Sequence, residues 1–395
     1  MKRHVVNSRM LFALVAILCA SAATLGTVIA QGPEWQFETI AKDAACSTTS
    51  LALDSQDQPH VSYYGSDLAL HYIYSDGTSW HTVTVDSNSG VSASNALALD
   101  RSDHPHISYY DANNGDLKYA FYDGETWELQ VVESSGNVGT ETAIAVDAQA
   151  QPHIAYHDET SRALKYASYD GTSWHIEIIA PRGFSPALAL DKAGYPHISF
   201  GTGGSLMYAH HDGTAWQVEP VDSGGMIGGF TSLALDTSDY PHISSCRFPS
   251  TVCDELEYAR YDGTNWQTEV LTTVHGIQLT GQESSLALDS ANRPHIVSRS
   301  MFNPYVWYDG TTWQAEAVSK VQSDLGFSIT MDAADRPHIS FVRCSRSTLL
   351  YAHRTTAAVL PAAGGELHFL YLWALALVLI VTGLLWRLRS ERRLE

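Results

Sequence analysis

Positive charge is scarce in this sequence. Its 395 residues hold 23 lysines and arginines against 43 aspartates and glutamates. The two ends mask part of the imbalance. Residues 1–30 and 365–395 carry seven of the basic and three of the acidic residues, so the rest holds 16 against 40, a net charge of −24. Such a surface repels phosphate backbones, which argues against nucleic acid as a partner. Cysteine is also scarce: five in all, of which Cys46, Cys246, Cys253 and Cys344 follow residue 30. Disorder is excluded by the 45% hydrophobic content.

What the chain has in abundance is repetition. Residues 96–133 are the clearest copy of a unit of roughly forty-five residues, a period that marks solenoids or propellers. Each unit opens on a short alternating run ending in Asp: Leu51–Asp54, Leu97–Asp100, Ile144–Asp147, Leu188–Asp191, Leu233–Asp236, Leu286–Asp289 and Ile329–Asp332. Large and small residues alternate with period two, so one face is bulky and the other thin. A thin face suits the innermost strand of a propeller blade. Six residues after each Asp comes a histidine that follows a proline, from His60 to His338. That is hairpin spacing, and Pro at a strand start costs no ladder bond. A third strand ends at an Asp-Gly turn, as at Asp123, and a Trp four residues on, as at Trp127, opens a fourth.

Counting these strands predicts the topology. There are seven first, second and third strands but only six fourth strands within the array, because the last unit stops after Leu349–Arg354. The missing strand lies at the other end, where residues 34–40 read like residues 127–132. The expectation is an all-β, seven-bladed β-propeller closed by an N-terminal strand that completes the last blade, leaving no open sheet edge. The cysteines test this. Cys246 and Cys253 flank one turn and are expected to pair locally. A Cys46–Cys344 disulfide would staple the ring at its seam, closing a loop of about 300 residues.

The ends read as targeting segments. Lys2, Arg3 and Arg9 precede an apolar run, and Val28-Ile29-Ala30 offers a small-residue cleavage site, as in a secretory signal. Phe369 to Trp386 is uncharged and long enough for a short membrane-spanning helix, and four arginines follow it. The expected organisation is a signal peptide at 1–30, the propeller at 31–356, a linker at 357–367, a transmembrane helix at 368–386 and a cytoplasmic basic tail at 387–395. The protein is expected at the cell surface with its propeller outside.

Two family resemblances add to this. The turn Asp123-Gly124-x-x-Trp127 resembles the Asp-box of bacterial neuraminidase-type repeats, S-x-D-x-G-x-T-W, without the residue between Asp and Gly. The resemblance implies a propeller over residues 34–354 and a structural turn at Asp123 and Trp127. It does not extend to sialidase chemistry: the arginine cluster, the Tyr–Glu nucleophile pair and an Arg-Ile-Pro segment are all missing. At the C-terminal end, Leu360-Pro361-Ala362-Ala363-Gly364 ahead of the apolar run resembles a sortase-type sorting signal, with Ala363 where the usual motif has Thr. That resemblance implies cell-wall attachment, and a single-pass membrane anchor is the expectation beside it.

Seven repeated Asp and His residues, such as Asp100 and His106, invite a metal or acid–base reading. Each pair sits in its own blade, however, and a site needs ligands that converge. They are therefore expected to be structural, the Asp fixing the imidazole across its hairpin, and neither metal, cofactor nor catalytic residue is expected. Function is expected where the units differ, in the loops joining second to third and fourth to first strands. These share one end of the ring and place aromatic rings beside Asp and Asn. Tyr64, Tyr110, Asp111, Asn113, His157 and Asp158 are the expected ligand-binding residues. The expected function is binding or adhesion to a glycan or a surface protein. A glycan hydrolase or lyase and a purely structural surface protein stand as alternatives.

Overall fold

A computed structural model describes residues 34–355 except 91–93, 249–252, 320 and 322–323. The fold lies within Trp35–Arg354. Seven four-stranded antiparallel sheets follow one another around an axis. Blade 1, from the inside out, is Ser50–Leu53, Pro59–Tyr64, Leu70–Ser75 and Trp80–Asp86, and blade 2 is Asn95–Leu99, Pro105–Asp111, Asp116–Tyr122 and Trp127–Glu133. Blades 3 to 6 repeat the plan, with inner strands Val138–Val146, Phe184–Leu190, Met226–Leu235 and Ser285–Leu288. Each inner strand packs on those of the blades before and after it, and the first also meets the last, so the ring is closed.

Blade 7 consists of Asp324–Met331, Pro337–Arg343, Thr348–Arg354 and, outermost, the N-terminal strand Trp35–Lys42. Trp35 pairs with Arg354 and Lys42 with Thr348, with a bulge between Thr39 and Ala41. The expected closure by an N-terminal strand is what the sheet shows. Both disulfides form as expected, Cys46–Cys344 across 298 residues and Cys246–Cys253 across seven. One element was not legible in the repeat: a small hairpin, Thr273–Val274 with Ile277–Gln278, between blades 5 and 6.

The alternation in the inner strands explains how the blades pack. Leu51 buries against blade 7 residues such as Val342, whereas its neighbour Ala52 turns to blade 2, where Leu97 meets it. Ala96 and Ala98 in turn meet Ile144 of blade 3. A large side chain therefore fills the space a small one leaves, which gives dense cores between blades that converge on an axis. Burial also falls outward along each blade. The second strand Pro59–Tyr64 is buried throughout, while the outer strand Trp80–Asp86 is exposed over much of its length.

Among the described residues no helix is long and apolar enough to cross a membrane. The signal peptide, the linker, the sorting-signal variant, the transmembrane helix and the basic tail all fall on residues outside those described.

Candidate functional site

The repeated residues form a structural relay in every blade. In blade 2 the His106 Nδ1 and the Tyr119 hydroxyl are hydrogen-bonded at 2.6 Å. Tyr119 then receives the edge of Trp174 from blade 3, with ring centroids 5.3 Å apart. Asp100 uses one carboxylate oxygen to cap its own turn, accepting the backbone N–H groups of Ser102 and His104 at 2.7 and 2.9 Å. Its other oxygen stands 3.8 Å from His106 Nε2. The tyrosine holds one side of the ring, and the Asp stands by the other, within hydrogen-bond distance at His295 and His338 and 3.5 to 3.9 Å away in the other blades. Burial holds these histidines below their ordinary pKa, His106 and His242 at about 4, so they are neutral at pH 7. Asp123 accepts the N–H groups of Glu125 and Thr126 and shapes the turn that positions Trp127.

At the opposite end of the blades the structure places the expected ligand residues, and of the six only His157 lines the axial cavity. Asp111 is fully buried. It accepts the N–H of Asn113 at 3.1 Å and faces the Lys118 ammonium at 2.8 Å. Lys118 also donates to Asp86 of blade 1 at 3.0 Å, so the three charges staple two blades. Burial works against the Lys118 charge, but its bonds to Asp111 and Asp86 outweigh it and hold the ammonium above its ordinary pKa. Asp158 repeats the arrangement with Lys165 and Glu133. Tyr64 is fully buried and donates to the Tyr110 carbonyl at 2.9 Å. Tyr64, Asp111 and Asp158 are therefore corrected to structural residues: their polar atoms are used up inside the fold. Tyr110 is half-buried and donates to Asn137, and exposed Asn113 donates to the Asn88 carbonyl.

His157 differs, because it lines a large cavity at this end of the axis. That cavity has a volume of about 710 Å³ and is open to solvent. Its wall comes from a fixed place in every repeat. Three residues before the first large residue of the inner strands stand Thr48, Ser94, Glu141, Ser185, Phe230, Glu283 and Gly326. One residue further on stand Thr49, Asn95, Thr142, Pro186, Thr231, Ser284 and Phe327. The second set ties the ring together. Thr49 donates to the Gly326 carbonyl at 2.7 Å, Asn95 to Thr48 at 3.1 Å, Thr231 to Ser185 at 2.6 Å and Ser284 to Phe230 at 3.1 Å. These bonds reach from one blade to the carbonyl of the blade before, and both sets line the cavity. The sequence carried this signal. It is a faint one, since the lining residues vary in type and only their offset repeats.

The cavity's carboxylates are already engaged. Glu141 accepts the Ser185 N–H and its hydroxyl, the latter at 3.3 Å. Glu283 accepts Arg299 at 2.9 Å and the Gly326 N–H at 2.8 Å. Glu159 lies 3.0 Å from His157 Nε2. His157 Nδ1 donates to the Gly183 carbonyl at 2.6 Å, and the Gly183 N–H donates to the Arg162 carbonyl at 3.0 Å. Those two bonds hold the 158–162 turn against the link into blade 4, so that Arg162 and Arg182 both reach the cavity rim. Both are exposed, and neither guanidinium has a hydrogen-bond or ion-pair partner among the described residues. Among the described residues no cluster of His, Cys, Asp or Glu could hold a metal ion.

No known family model matches the chain, and no curated protein sequence matches it. Solved structures do. Virginiamycin B lyase from Staphylococcus aureus matches with a TM-score of 0.54 at 7% identity, covering 82% of this chain and 99% of that one. A mutant of AofleA from Arthrobotrys oligospora matches with a TM-score of 0.52 at 11% identity, covering 73% and 91%. An α-L-arabinofuranosidase from Fusarium graminearum, in complex with an iminosugar inhibitor, matches with a TM-score of 0.51 at 8% identity, covering 84% and 99%. At such identities the likeness shows the fold, a β-propeller, and nothing finer.

Proposed function

We propose that this chain is a binding module that takes a glycan into the axial cavity. The observation that carries the proposal is the composition of that cavity. Seven blades deliver hydroxyl, amide and backbone groups to one space of about 710 Å³, beside the rings of Phe184, Phe230 and Phe327. Sugars offer hydroxyls around apolar ring faces, and such a wall answers both. The volume lies within the range of small-molecule sites. A binding role is favoured over a hydrolase or lyase because two of the cavity's carboxylates, Glu141 and Glu283, are held by backbone N–H groups, and Glu283 by Arg299 as well.

The setting is part of the same proposal. Two disulfides in one chain fit an oxidising compartment. With the basic, apolar N-terminal segment and the apolar C-terminal run ahead of four arginines, they support export and display at the cell surface on a single membrane helix.

A glycan array probed with the full-length protein tests the binding role. Binding to at least one class of oligosaccharide is expected, weakened by Phe230→Ala and blocked by Thr140→Trp at the cavity mouth. Silence across neutral and acidic sugars alike would sink the proposal.

A further inference from the structure

The rim of the axial cavity carries a chemistry that a general sugar site does not need. The folded part of this protein is strongly acidic, and its buried cations are tied to carboxylates: Lys118 to Asp111, Lys165 to Glu133 and Asp158, Arg343 to Asp324. Arg162 and Arg182 are exposed instead, and neither has such a partner among the described residues. They stand at one cavity, on two segments held together by the Gly183 N–H on the Arg162 carbonyl and by His157 on the Gly183 carbonyl. Each presents an unpartnered planar fork of donors, a shape that matches carboxylate or sulfate oxygens. Glu141 and Glu159 line the same cavity, hydrogen-bonded to Ser185 and His157 and not paired with either arginine.

Resting on the glycan reading above, we propose that the cavity selects a sugar carrying a single acidic group, carboxylate or sulfate, which Arg162 and Arg182 hold at the rim. The surrounding acidity sharpens the choice. A long, densely charged chain is repelled by the protein's own field, whereas one terminal anion inserted between two guanidinium groups is not. Selection therefore combines local attraction with general repulsion, and it excludes polyanions such as nucleic acid.

Three probes separate the possibilities: an oligosaccharide ending in a uronic acid, the same oligosaccharide ending in a sulfated sugar, and its neutral parent with the carboxyl reduced to an alcohol. Each is titrated calorimetrically into the full-length protein, the Arg162→Ala/Arg182→Ala variant and an Arg101→Ala control at the other end of the ring. At low salt an acidic probe is expected to bind at least roughly tenfold more tightly than the neutral parent. The gap should shrink as salt rises and vanish in the double variant, while the control keeps it. Which acidic probe shows the gap identifies the anion. Lysine at both positions should restore part of it, since the charge returns without the fork. If all three probes bind equally, with or without the arginines, the acidic selection is overturned and the glycan site stands. If none binds, the glycan site itself is wrong and the selection goes with it.

Discussion

The indole of Trp80 in blade 1 stands edge-on to the ring of Tyr351 in blade 7, with centroids 5.3 Å apart and planes at 67°. The same pairing joins every neighbouring pair of blades, and Trp35 on Tyr305 completes the circle between blades 7 and 6. Edge-to-face pairs of this kind contribute about 1 kcal/mol each beyond the area they bury. Trp35 belongs to the N-terminal strand, so the ring depends on a segment far from the rest of its blade in sequence.

The seam is the place to test closure. Replacing Cys46 and Cys344 by serine removes the cross-link over 298 residues. The loss should be on the order of 4 kcal/mol, or roughly 5 °C in melting temperature. The Cys246–Cys253 bridge closes only a short loop, so the same change there should cost clearly less. Calorimetric melting of the two variants decides it, and equal losses would count against a seam under tension from chain entropy.

Acid should loosen the ring before it touches the aspartates. The blade histidines have folded-state pKa values depressed by burial, to about 4 at His106 and His242. Unfolded histidines titrate near 6.5, so between about pH 6.5 and 4 the unfolded chain binds more protons than the folded one. Stability is full above pH 6.5 and falls as pH drops through that window. Melting temperatures that stay flat from pH 7 to 4.5 would show that the imidazoles are not held neutral.

One carboxyl works in the opposite sense. Glu257 is fully buried at the place where blades 2 and 3 carry Lys118 and Lys165, and its pKa is pushed up to about 7 by burial and then by Asp222 beside it. Its charge partner, Arg247, occupies the place of Asp111 and Asp158, so blade 5 reverses the polarity of the staple. A raised carboxyl pKa disfavours the fold as pH climbs from about 4.5 through 7. Glu257→Gln should therefore raise the melting temperature by roughly 3 °C at pH 8 and leave it unchanged at pH 5. A variant destabilised at both pH values would mean that Glu257 is ionised and needed.

The inter-blade staples predict a separation of stability from binding. Lys118→Met leaves Asp86 and Asp111 buried without their cation and should cost about 3–5 kcal/mol. Asp111→Asn should also destabilise. In both variants glycan affinity should be unchanged below the melting transition. Affinity lost from a folded Asp111→Asn protein would return Asp111 to the binding site.

The fold was open to sequence reasoning because its signals are periodic. The alternation of Leu51 with Ala52, the Pro-His starts and the six rather than seven fourth strands lead to a closed ring and to both disulfides. The site was harder to read for a physical reason. Asp111 and Asp158 look like ligand residues because they sit in variable loops, yet an Asp at a turn first satisfies the backbone around it, and a lysine on the next strand completes its burial. Phe230, Arg162 and Arg182 share no residue type with their counterparts in other blades. Only the geometry of the axis brings them to one place.

Co-crystallisation of the protein with its tightest-binding oligosaccharide tests the site most directly. Sugar density should occupy the axial cavity, stacked near Phe230 and within hydrogen-bond reach of Arg162, Arg182 and the hydroxyls at the inner-strand starts. Density seated between neighbouring blades on the outer rim, with the axis empty, would contradict the axial site and the selectivity assigned to it.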